Sequence, residues 1–133
     1  MKNILNRLFH INPIIPPEVL KKAFEKRFGN SLNVEWLQAD DVYEAIFYLD
    51  EIEHLARYDS NGKLLNYKKN LPLKSLPPEI EEKITPHGEL MNIIAIFDDN
   101  GIAGYELIVR DESLIRYSLI LGSNGGVIQK TKL

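Results

Sequence analysis

Ile4, Leu5, Leu8, Phe9 and Ile11 recur at helical spacing until Pro13 interrupts them, which predicts a short amphipathic segment over residues 1–15. "PPEVLKKAFEKRFGN" then predicts a helix of about three turns. Two prolines open it, Glu18 suits its first turn, Val19, Leu20, Ala23, Phe24 and Phe28 make one stripe, and Gly29-Asn30 closes it. After that the apolar period changes to two. "NVEWLQ", "VYEAIFYLD", "EHLARYD" and "KLLNYKK" are short, rich in β-branched and aromatic residues, and separated by turn-forming residues, as successive antiparallel hairpins are. Ile80 and Ile84 in "LPPEIEEKITPHG" predict a second, shorter helix closed near Pro86 and Gly88. Four more strand-like runs follow, "LMNIIAIFD", "IAGYELIVR", "SLIRYSLIL" and "GVIQK".

The pattern is therefore written twice. "PPE" at 16–18 returns at 77–79, Tyr43-Glu44 returns as Tyr105-Glu106, and Ser60-Asn61-Gly62 returns as Ser123-Asn124-Gly125. The offset grows by one residue from match to match, as single-residue loop insertions would make it. The expected organisation is a segment 1–15 and one domain, 16–133, of two α-β-β-β-β repeats, 16–70 and 71–133. Each Ser-Asn-Gly is the last hairpin of its repeat, with Asn-Gly supplying the positive φ angles of a tight turn.

Charge and composition remove several functions. The 133 residues carry 16 Lys and Arg against 19 Asp and Glu, scattered rather than clustered, so no nucleic-acid footprint is expected. Cysteine is absent, which excludes disulfides and thiolate chemistry. No apolar run approaches the eighteen or so residues of a membrane span, and Asn3, Asn6, Arg7, His10 and Asn12 break the first segment before it could serve as a signal sequence. The expected location is cytoplasmic.

Candidate chemistry is thin. Glu44 and Glu106 hold equivalent places in the repeats and could be imagined as an acid/base pair, but neither has a histidine or serine motif beside it, and solvent-facing structural glutamates are the expectation. "DSNG" and "DDNG" lack the further acidic ligands of a calcium cage. His10, His54 and His87 have no ligand spacing for zinc. "GSNGG" precedes a strand, not the helix start a phosphate site needs. No metal, cofactor or catalytic residue is expected.

"PPEVLKKAFEKRF", "VEW", "VYEAIF" and "YDSNGKLL", in this order and spacing, resemble the β-lactamase-inhibitor-like, PepSY-like family of bacterial proteins, best from Pro16 to Leu65. The resemblance implies an α+β fold, a curved antiparallel sheet of about eight strands with two helices on one face. It implies no catalytic residues and, as the alternative location, the periplasm, and the lack of the secretion signal and cysteines usual in such inhibitors is a departure here. On strict alternation Val34, Trp36, Tyr43, Ala45, Phe47, Ala56, Tyr58, Tyr105, Leu107, Val109, Tyr117 and Leu119 face the helices. Glu44, Tyr48, Arg57, Glu106, Arg110 and Arg116, with Leu37, Ile46, Leu55, Ile108 and Ile120, take the open face, a mixture suited to binding. The expected function is a non-catalytic module, an inhibitor or accessory protein that binds an unidentified protein or peptide, as a monomer or weak dimer. The alternatives are an enzyme using Glu44 and Glu106, and a structural protein self-associating through 1–15.

Overall fold

The structure is a computed structural model that describes residues 12–133. The expected amphipathic stripe Ile4–Ile11 lies outside the described residues. The fold is α+β, a single antiparallel sheet whose strands follow chain order, with two helices. Eight long strands are joined by a two-residue strand, β1 (Asn12–Pro13). Two compact units divide between Tyr67 and Lys68.

In the first unit α1 (Glu18–Phe28) precedes β2 (Leu32–Ala39), β3 (Val42–Leu49) and β4 (Ile52–Tyr58), and β5 (Leu64–Leu71) runs across the division. The i, i+4 stripe Leu20, Phe24 and Phe28 is buried, as the periodicity predicts, against Trp36, Ala45, Phe47, Ala56 and Tyr58. Phe24 meets Phe47 edge-on at 4.8 Å and Trp36 at 5.6 Å between ring centroids, geometries that add to the area term. One expectation fails here. Val19 lies off the stripe and is exposed. Val34 is on the helix side with Phe24, Phe28 and Trp36, as alternation predicts, but stays 38 % exposed. The β2–β3 register shifts next to it, between Leu32 and Glu35, where Asn33 sits at φ 53°.

In the second unit α2 (Pro78–Ile84) precedes β6 (Glu89–Asp98), β7 (Gly101–Arg110), β8 (Arg116–Gly122) and β9 (Val127–Lys132). Ile80 and Ile84 are buried with Ile93, Ala95, Tyr105, Leu107, Val109, Leu119 and Leu121, and Tyr117 packs at the margin.

The hairpin turns show how the loops are held. At 59–63 the Gly62 amide donates to the Asp59 carbonyl (3.1 Å), the Asp59 amide donates to the Lys63 carbonyl (3.0 Å), and only Gly62, not Asn61, takes a positive φ. This is a three-residue loop ending in one left-handed residue, not the two-residue turn the Asn-Gly pair suggests. The same arrangement recurs at 122–126, with Gly125 at φ 88°, and at 111–115, where the left-handed residue is Leu114 at φ 64°. Leucine there costs about 1–2 kcal/mol relative to glycine. Gly125 has a second constraint, since a Cβ on it would stand 2.8 Å from Ile80 Cγ1. Chemical denaturation should accordingly find Leu114→Gly more stable than the parent by about 1 kcal/mol. Gly125→Ala should be less stable by more than about 1 kcal/mol, since strain and overpacking add.

Candidate functional site

The strand faces turned away from the helices carry the charged candidates. In the first unit the antiparallel register sets Glu44 opposite Arg57, Ile46 opposite Leu55 and Tyr48 opposite Glu53. Arg57 Nε lies 3.2 Å from Glu44 Oε2, and the Glu44 side chain is only 1 % exposed while that of Arg57 is 28 % exposed. Glu44 is therefore not the solvent-facing glutamate expected. Alternation shows which side of a strand a residue takes, not whether that side is covered, and Ile46 and Leu55 beside it are buried as well. A carboxylate so enclosed is costly to bury without compensating contacts, and the Arg57 guanidinium supplies one.

In the second unit the rows across β6, β7 and β8 read Glu89–Arg110–Arg116, Asn92–Ile108–Ser118 and Ile94–Glu106–Ile120. Glu106, half-buried, accepts a hydrogen bond from Lys68 Nζ at 3.0 Å, and Arg110 donates to Glu89 at 2.9 Å. Arg116 is exposed. The structure thus brings Arg110 and Arg116 together as cross-strand neighbours, ties Glu44 to Arg57, and sets Tyr48, half-buried, across from Glu53. Lys68 and Glu53 were missed by the sequence reading. Lys68 lies in an all-polar stretch, "NYKKN", where alternation gives no side, whereas Glu53 was findable, being two residues from Leu55 on the same face.

Among the described residues Glu53 has no ion pair, and burial pushes its carboxyl above the usual range. Tyr58, buried beneath α1, has its phenol pushed up to about 12 by burial, an effect that the nearby Arg27 charge partly opposes. His54, unremarked in the sequence except as a poor zinc ligand, is a core residue. Its Nδ1 lies 2.8 Å from the Ile52 carbonyl, which can only accept, so Nδ1 carries the proton, and its ring stacks on Phe47 at 5.1 Å. Among the described residues no cluster of three or more His, Cys, Asp or Glu could hold a metal. A cleft of about 440 Å³ between α1 and β2 is lined by Ile15, Lys21, Phe24, Val34 and Trp36 and contains no acid/base pair with a shared proton. A polar hollow of about 360 Å³ lies between the 85–88 and 111–113 turns.

Solved structures of similar fold include proteins of several Bacteroides species. A candidate periplasmic protein of Bacteroides eggerthii matches with TM-score 0.79 at 13 % identity over 89 % of both chains. A DUF2874 family protein of Bacteroides uniformis gives 0.78 at 14 %, over 89 % of this chain and 90 % of that one. A BLIP-like protein of Bacteroides fragilis gives 0.73 at 16 %, over 90 % and 88 %. The fold is that of these proteins. At such identities the likeness concerns fold alone, and it agrees with the β-lactamase-inhibitor-like layout read from the sequence. No protein-family model and no curated protein matches the chain. Among the described residues no helix is long and apolar enough to cross a membrane.

Two outcomes follow from the buried charges. Arg57→Ala removes a guanidinium in contact with buried Glu44 and should cost more in urea denaturation than Arg110→Ala, which loses an exposed pair and should cost less than about 1 kcal/mol. Ionising Glu53 is costlier in the folded chain than in the unfolded one, so folding is penalised above its raised pKa and the penalty fades as pH falls through it. The stability gained by Glu53→Gln should be largest at pH above the raised carboxyl range and shrink as pH falls through it, as paired denaturation curves would show.

Proposed function

We propose that this protein is a non-catalytic module that binds a protein or peptide through the strand face turned away from the helices. The observation that carries the reading is the second unit's face, where half-exposed Ile108 and Ile120 are interleaved with Glu106, Arg110 and Arg116. A solvated face has little use for the isoleucines, a core would reject the charges, and a binding surface uses both. The fold likeness to a BLIP-like protein supports a binding or inhibitory role. Glu44 and Glu106 each sit in an ion pair, which favours a structural use over a carboxylate-based site. We take the two helix-plus-strands units as tandem copies of one module. The likeness to a candidate periplasmic protein favours the periplasm over the cytoplasmic expectation.

Affinity capture with the full chain tests the reading. Arg110→Ala/Arg116→Ala should retain less than about a tenth of the captured partner and melt within a few degrees of the parent, because exposed pairs contribute about 0–1 kcal/mol each. Arg57 is left out of that variant, since it contacts the buried Glu44 carboxylate. Trp36→Ala, which empties part of the aromatic core, should lose about 3–5 kcal/mol and its cooperative melt. Undiminished capture by the double arginine variant would sink the assignment of the face.

A further inference from the structure

The 59–63, 111–115 and 122–126 hairpins share one backbone plan, and in two of them the left-handed position is glycine. In the third it is Leu114, at φ 64° and 70 % exposed. A bulky side chain is disfavoured in that conformation, and this one belongs to neither core cluster. Strain of this kind, kept where glycine serves twice in the same chain, is the mark of a side chain wanted for contact. Its surroundings fit that use. Asp111 Oδ1 accepts the amides of Ser113 (2.9 Å) and Ile115 (3.0 Å), fixing the loop before any partner arrives. Two residues beyond Leu114, Arg116 is exposed and has no ion pair among the described residues, whereas its cross-strand neighbour Arg110 is committed to Glu89.

We propose that the 111–115 hairpin is a contact loop whose Leu114 enters an apolar pocket on a protein partner while Arg116 pairs with a carboxylate at that pocket's rim. The inference rests on the binding-module reading and adds the partner's chemistry. Charge selects that chemistry. Arg116 is an unmatched cation with a planar guanidinium suited to bidentate carboxylate capture, and an exposed leucine beside it calls for a dry recess. Exposed Glu112, in the same loop, disfavours an anionic lipid surface or nucleic acid.

The test places a photo-crosslinking amino acid at Glu112 of the full chain in cells of the source organism, with the same group at Ser60, in the first unit's hairpin of the same backbone plan, and at Ser118, on the open face. The expected result is one discrete protein adduct from position 112, absent from position 60, whose cross-linked peptide contains Asp or Glu. Leu114→Gly should reduce it more than tenfold even though that variant melts higher than the parent, Arg116→Ala should reduce it about tenfold, and Leu114→Met should preserve it. A merely structural leucine would give the higher melt with an unchanged adduct, and that outcome overturns the proposal. So does an adduct to lipid or nucleic acid. An adduct from 118 without one from 112 removes the loop and leaves the binding face, while adducts from neither position remove both readings.

Discussion

The structure depends on how little surface its helices can bury. Eleven residues of α1 supply one stripe, Leu20, Phe24 and Phe28, and seven residues of α2 supply Ile80 and Ile84. Each stripe covers the inward side of its own unit's strands, and the aromatic contacts of Phe24 and Phe28 with Phe47 and Trp36 fix where α1 rests. Because no helix of the described chain is left for the other side of the strands, that side must settle its polar groups by cross-strand pairing, and it is there that the ion pairs Arg57–Glu44, Lys68–Glu106 and Arg110–Glu89 occur.

Those pairs show one problem solved in two ways. Glu44 and Glu106 hold the same place in the sequence pattern, yet Glu44 finds its cation directly across the β3–β4 ladder, while Glu106 lies opposite Ile120 and Ile94 and takes Lys68 from β5. The first carboxylate is enclosed and its guanidinium is rigid and permanently charged. The second is wetter, and its partner is a flexible ammonium. Screening by salt should therefore reach the second pair more readily than the first.

Much of this was legible in the amino-acid order. The helix stripes and the strand runs were, because periods of 3.6 and 2 differ over so few residues that Leu20–Phe24–Phe28 and "VYEAIFYLD" cannot be exchanged. Where the period is broken the reading was silent, since nothing in "SLNVEW" announces that Asn33 enters the left-handed region. Burial on the second face was invisible for another reason. Glu44 looks the same in sequence whether water or protein covers it, and only the register with Arg57 reveals the choice. Leu114 was hidden because leucine carries no turn preference, although Asp111 did carry one. Its carboxylate bonds two and four residues ahead, as Asp59 does in the first unit.

The turn at 122–126 has an evolutionary corollary. Gly125 stands so near Ile80 that any side chain would collide with the α2 isoleucine, and Lys83 Nζ donates to the neighbouring Asn124 carbonyl at 2.9 Å. The loop and the helix are thus cut to a common clearance. A lineage that replaced the glycine would have to shrink position 80 in the same step or soon after, so the two sites, 45 residues apart in the chain, should drift as one.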